Sequence, residues 1–178
     1  MRIFTLHRLG LLLALFCTGP LFAATIDQFE GSYVGSAQFI YEGEFQRRDM
    51  STKISTTKSG FIVTWTSVSY KNDGRTKSKT YTIEFMPSGR KNVYKSAMAK
   101  SLFGQDTPLD PLKGEPFVWA RLEGDTLSVF SLFIDEVGEY EVQEFHRTLV
   151  DVGLDLVFRR IHSTAIEKEI RTILIRVE

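Results

Sequence analysis

From Gly31 onward the chain alternates apolar and polar positions at period two, in stretches of roughly eight to twelve residues rich in Val, Ile, Thr, Phe, Tyr and Trp and separated by turn residues. Period two places successive side chains on opposite faces of a strand. The pattern predicts strands near 31–41, 44–57, 61–70, 75–86, 91–96, 116–123, 126–134, 139–149, 154–163 and 169–177. The expected fold class is all-β, an antiparallel up-and-down meander of about 8–10 strands. Curling until first and last strands meet would protect the edges, so a barrel is favoured. The alternative is a β-sandwich, because periodicity does not separate closure from stacking.

Turn chemistry sets the expected registers, since loop length decides which residues face each other across a hairpin. Gly124-Asp125 as a two-residue turn pairs Trp119 with Phe130, Phe117 with Leu132 and Arg121 with Ser128. A loop over Asp135 to Gly138 sets Phe130 opposite Gln143 and Leu132 opposite Glu141. Asp151-Val152 pairs Phe145 with Phe158 and Gln143 with Arg160. A three-residue loop Asn72-Asp73-Gly74, with Gly74 at positive φ, pairs Trp65 with Tyr81, Val63 with Ile83 and Phe61 with Phe85. Chained together, these registers gather the rings and the guanidinium groups of Arg121, Arg147 and Arg160 onto one concave face, with Arg48 on the same side. The opposite face carries Thr64, Thr66, Thr76, Ser78, Thr80, Thr82 and Glu84. A membrane-spanning barrel needs a continuous apolar band outside, so this polar exterior argues against one.

A guanidinium inside a barrel must find an anion or a set of acceptors. One solution is internal: Arg121 or Arg160 pairs with Glu141 and Gln143, or reaches water at a barrel end. The other is a ligand whose carboxylate or phosphate meets an arginine while its apolar part lies against the rings. The candidate ligand-binding residues are Trp65, Tyr81, Trp119, Arg121, Phe130, Gln143, Arg147 and Arg160. The rings also have a plain packing role, and Gly35 and Ala37 on the first strand leave either room or a close strand approach. Between Ser96 and Gly114 the pattern breaks around Gly104, Pro108, Pro111 and Gly114. That connection reads equally as a gate over a site and as a simple crossing of a barrel end.

The first 24 residues read as an export signal rather than fold: basic Arg2 and Arg8, an apolar core from Leu9 to Phe16 too short to span a bilayer, then Gly19-Pro20 and small Ala23-Ala24. Cleavage near Ala23/Ala24 would start the mature chain close to Thr25, leaving 25–178 as a single β-barrel domain. Phe16 before Cys17 lacks the small residue a lipid-modified cysteine would require. Cys17 is the chain's one cysteine, so the mature domain has no disulfide and relies on its core. Lys and Arg balance Asp and Glu at 22 each; losing Arg2 and Arg8 leaves a slight acidic excess, which gives no footing for nucleic acid. With no Asn-x-Ser/Thr sequon, a periplasmic or secreted address in a bacterial envelope fits best.

Chemical motifs are sparse. The mature chain has no Cys nucleophile, Gly-x-Ser-x-Gly elbow, phosphate-cradling glycine loop or His-Glu-x-x-His. His146 and His162 are expected on opposite faces of neighbouring strands, His162 across from Glu141, where they cannot share a metal. No catalytic residues, metal site or cofactor are therefore assigned. Phe29-Glu30-Gly31-Ser32-Tyr33-Val34-Gly35 resembles the Gly-x-aromatic opening of lipocalins and other calycins, with Tyr33 where those proteins usually carry Trp. The resemblance implies an up-and-down β-barrel that tends to bind apolar ligands. The resulting expectation is a non-catalytic, lipocalin-like protein binding a lipid or other small amphipathic or anionic ligand. The rival reading is a structural or interaction module with a solid core and an envelope protein as partner.

Overall fold

The computed structural model describes residues 24–70, 74–96, 99–100, 106–107 and 109–177. The segment read as an export signal lies, up to residue 23, outside the described residues, as do Asn72 and Asp73 of the expected turn and most of the 96–114 connection. A 3-10 turn, Ile26–Phe29, precedes β1 (Gly31–Tyr41), β2 (Glu44–Thr56), β3 (Phe61–Tyr70), β4 (Thr76–Pro87) and β5 (Val93–Ser96). Two short strands, β6 (Ala99–Lys100) and β7 (Asp106–Thr107), and a second 3-10 turn, Pro111–Lys113, follow. The chain then continues as β8 (Phe117–Glu123), β9 (Thr126–Ile134), β10 (Tyr140–Val150), β11 (Gly153–His162) and β12 (Ala165–Arg176).

Ten of these strands close into an antiparallel barrel in the order β1-β12-β11-β10-β9-β8-β5-β4-β3-β2, while β6 and β7 pair only with each other. Closure, rather than a sandwich, is the observed answer to the edge problem. The wall is uneven, however. β5 meets β4 only at Phe85, Met86 and Pro87, so among the described residues the upper half of β4 is paired on one side, with β3. The seam between β1 and β12 is equally short, resting on Tyr33 opposite Arg176 and Val34 opposite Ile175. Just above it the Thr172 hydroxyl donates to the Ser36 carbonyl at 2.7 Å. Gly35 is required here because a Cβ would stand 2.6 Å from the Ile173 carbonyl oxygen.

The barrel has two unlike ends. At the base the first 3-10 turn plugs the opening: Ala24 donates to the Gly124 carbonyl at 3.2 Å, and Phe29 is buried with Tyr33, Phe61, Phe85, Leu127, Leu154 and Leu174. Phe61 stacks on Phe85 at 5.1 Å between ring centres. The Tyr33 hydroxyl donates to the Phe29 carbonyl at 2.8 Å. Arg176 covers the Tyr33 ring and donates to its hydroxyl at 2.6 Å and to the Gln28 carbonyl at 3.0 Å. At the mouth, where β1 turns into β2 through Glu42 and Gly43, the interior is lined by long cationic and polar side chains.

Three of the four hairpin registers agree with the sequence reading: Trp65 faces Tyr81, Phe145 faces Phe158, and Trp119 faces Phe130. The fourth does not. Phe130 faces Glu144 and Leu132 faces Val142, one residue away from the expected pairing. The cause is Asp135, whose carboxylate accepts from Val137 N–H and Glu139 N–H, each at 2.9 Å. Its own N–H donates to the Glu139 carbonyl at 2.9 Å, so the loop is three residues, Glu136 to Gly138, with Gly138 at φ 87°. This is a tight turn ending in a left-handed glycine. A one-residue slip exchanges the two faces of a strand, so β8 and β9 show the opposite set of side chains to the interior. The last strand also starts at Ala165 rather than at residue 169, directly after a Ser163-Thr164 turn in which Ser163 takes φ 54°.

Candidate ligand-binding site

The mouth half of the barrel holds an open cavity of about 280 Å³, just under the range typical of small-molecule sites. Ten strands make a barrel wider than the eight that side chains alone can fill. The base is packed solid by rings and leucines, so the remaining space lies above it. Inward residues on each strand follow the two-residue period, which stacks the lining into three levels.

Arg147 forms the floor. It is 1% exposed, and its guanidinium lies 5.8 Å from the Trp65 ring centre and 5.5 Å from that of Phe145. Its Nε and Nη1 have no hydrogen-bond partner, and it makes no ion pair among the described residues. Burial pushes its pKa down to about 10. Above it runs an aromatic row that crosses the interior: Tyr81 on Trp65 at 5.3 Å, Trp65 against Phe145 at 5.3 Å, and Phe145 against Phe158 at 4.8 Å.

The mouth level carries Arg48, Arg160 and Lys168, with the more exposed Lys77 and Lys79 of β4 at its open side. Arg48 Nε donates to Ser69 Oγ at 3.1 Å, and its guanidinium covers the Phe39 ring. Lys168 is 9% exposed, with Nζ 4.4 Å and 4.3 Å from the ring centres of Phe39 and Tyr41. Burial, followed by the charges of Arg48 and Arg160, pushes its pKa down to about 8. Arg48 is lowered for the same reasons, burial first and then Arg160. Of these, only Arg160 has acids within ion-pairing distance among the described residues, with Glu167 Oε2 3.1 Å and Glu141 Oε2 3.9 Å from its Nε. The Glu167 contact is ionic rather than a hydrogen bond, since that Nε has no aligned acceptor. Arg160 also donates to the Tyr41 hydroxyl, and Gln143 Nε2 donates to Glu141 Oε1 at 2.6 Å.

Of the residues proposed from sequence, Trp65, Tyr81, Gln143, Arg147 and Arg160 line this cavity together. Trp119, Arg121 and Phe130 do not, because the Asp135 turn places their face of β8 and β9 outside. There Trp119 stacks on Phe130 at 5.0 Å, and Arg121 pairs with Glu123. Inside, the same strands contribute Val118, Ala120, Leu127 and Val129 to the core. Lys168 was missed. Strict pairing from the Ser163-Thr164 turn would carry it outward opposite Arg159, but the register shifts between Arg160 and Ile161 and sets Lys168 opposite Arg160. Glu167 is the extra residue of that bulge, and bulges commonly re-aim a side chain beside a site.

The histidines lie on opposite faces of β10 and β11, with His162 opposite Glu141. The outer one completes a row across the wall: Ser128 Oγ is 2.8 Å from His146 Nδ1, and His146 Nε2 is 3.1 Å from Glu144 Oε2. In the neutral ring the carboxylate needs a donor, so Nε2 holds the proton and Nδ1 accepts from the hydroxyl. The row resembles a nucleophile, base and orienter in outline. The surrounding backbone N–H groups belong to the β8-β9-β10 ladders, and the row links β9 to β10 side chain to side chain. It serves the sheet as a cross-strand network. Among the described residues no three His, Cys, Asp or Glu side chains converge as a metal site, and no helix is long and apolar enough to cross a membrane. Compared with models of known protein families and with curated proteins, the sequence matches none.

Proposed function

We propose that the protein is an exported, lipocalin-like carrier or sensor that holds a small amphipathic or anionic ligand in the mouth half of its barrel and catalyses no reaction. The observation that carries this reading is Arg147, a fully buried guanidinium beside an open cavity, two of whose donor atoms have no partner in the protein. Leaving such a charge uncompensated costs several kcal/mol or more, and an anionic ligand would remove that penalty. The aromatic row beside it offers the apolar part of the same ligand a surface. Gly31-Ser32-Tyr33 at the plugged base accords with the lipocalin-like resemblance, and the Thr64–Thr82 and Thr66–Thr80 hydroxyl pairs make the β3-β4 part of the outer wall polar. An export signal ending near Ala23/Ala24 and a periplasmic or secreted location complete the proposal.

One observation favours a second reading, an interaction module for another envelope protein: Phe117, Trp119 and Phe130 form a contiguous aromatic row on the outer wall. The cavity weighs against a solid barrel, so this reading ranks second. Tryptophan fluorescence separates them. A ligand in the barrel is expected to change the emission of Trp119→Phe, which retains Trp65, and to leave Trp65→Phe unresponsive. Native mass spectrometry of protein purified from the exported fraction is expected to show a chain starting near Thr25 with a small molecule bound. A response confined to Trp119 would transfer the function to the outer wall.

A further inference from the structure

We propose that the cavity is built for a short dianion, one anionic group seated on Arg147 at the floor and a second among Arg48, Arg160 and Lys168 at the mouth. This deepens the ligand-binding reading and rests on it. Two separate positive centres, rather than one, occupy the interior. Arg147 lies opposite Leu156 and Gln143 opposite Arg160, four residues along the same strands, or about 13 Å of strand rise. Between the two levels stand Trp65, Phe145 and Phe158, which offer contact but no charge. Both centres are short of anions: Arg147 and Lys168 are at least nine-tenths buried, and neither has a carboxylate within ion-pairing distance among the described residues. Glu141 and Glu167 are spent on Arg160.

Ring faces attract these cations but accept no N–H in the plane of the guanidinium. A water beside these cations would bring no charge to offset the one left in a low-dielectric interior. The bulge at Glu167 argues the same way, because without it Lys168 would point outward and the mouth would lose its most deeply buried cation after Arg147. A ligand with a single anionic head would neutralise one level and leave the other as it is. A molecule with a carboxylate or phosphate at each end of a short aliphatic or aromatic body neutralises both and fits the small volume.

The test is calorimetric titration of the ligand-free protein with two matched pairs, suberate against octanoate and terephthalate against benzoate. In at least one pair the dicarboxylate is expected to bind tenfold or more tightly than the monocarboxylate. Arg147→Met and Lys168→Met are each expected to reduce that preference to within about threefold, and the mouth variant gives the answer even if the floor variant folds poorly. Monocarboxylates binding as well as their dicarboxylate partners would overturn the dianion while leaving the carrier reading intact. A preference untouched by either variant would overturn it as well. Failure of all four probes to bind at millimolar concentration would overturn the dianion, while the carrier reading would still be decided by native mass spectrometry and tryptophan fluorescence.

Discussion

The base and the mouth of this barrel are made by the same strands a few residues apart, and they follow opposite rules. At the base the Tyr33 hydroxyl meets the Phe29 carbonyl and Arg176 spans Tyr33 and the Gln28 carbonyl, while among the described residues only the neutral Thr57 hydroxyl is buried there without a partner. The remaining volume is filled by rings and leucines at full burial. At the mouth, cations lie over ring faces with donors unmet, and the upper part of β4 is paired on one side among the described residues. Stability is therefore concentrated at one end, which allows the other to hold groups that oppose folding. Strained or unsatisfied positions persist only where the surroundings over-determine them.

The sharpest way to break this contrast is to empty the base. Phe61 is fully buried and touches both Phe85 and Tyr94, so Phe61→Ala leaves a cavity that the surrounding barrel cannot collapse into. The expected loss is about 3–5 kcal/mol in urea unfolding. Arg147→Met, only a few residues higher, is expected to change stability in the other direction by about 1–4 kcal/mol, because an apolar side chain of similar volume removes a desolvated charge. If Arg147→Met destabilised the ligand-free protein as Phe61→Ala does, the arginine would be part of the core's support. The division between a packed end and an end held ready for a ligand would then disappear.

Much of this division was legible in the sequence. The β3-β4, β8-β9 and β10-β11 registers follow from Asn72-Asp73-Gly74, Gly124-Asp125 and Asp151-Val152, because each turn has one reading that keeps apolar residues on a shared face. Those registers place Trp65, Tyr81, Gln143, Arg147 and Arg160 together. The β9-β10 register failed because two loop lengths both fit the Asp135-Glu-Val-Gly138 stretch, and the choice depends on an Asp135 side-chain cap that hydrophobic patterning does not reveal. With Trp119, Phe130 and Arg121 forming a set as self-consistent outside as inside, nothing on β8 or β9 alone objected to the wrong face. Lys168 was hidden for a related reason. A single extra residue in β12 inverts the alternation above it, and no glycine or proline marks the spot. In both cases the positions that escaped were decided by one residue of backbone register, while those that were found lie on hairpins closed by unambiguous turns.

Lys168 gives the finest test of the contrast, since its charge can be removed by pH alone. Its ordinary pKa is 10.5 and its folded value is about 8, so below pH 8 folding must place an ammonium in a desolvated mouth. Between about pH 8 and 10.5 the unfolded chain keeps a proton that the folded one has released. The unfolded state then binds more protons, and the stability attributable to this group rises with pH. Lys168→Met carries no such group. The advantage of the variant over the ligand-free wild type is therefore expected to be largest near pH 7 and to shrink by on the order of 1 kcal/mol by pH 10.5, after allowance for partial solvent screening. The groups facing Lys168 are Arg48 on β2, Tyr41 on β1, Arg160 on β11 and Glu42 in the first turn. All are retained in the variant, so most of their own titration cancels in the difference. A difference that stays flat across this range would mean that the ammonium is hydrated in the folded protein. Lys168 would then belong to an ordinary wet rim, and the cost of holding cations inside would rest on Arg147 at the floor and on Arg48.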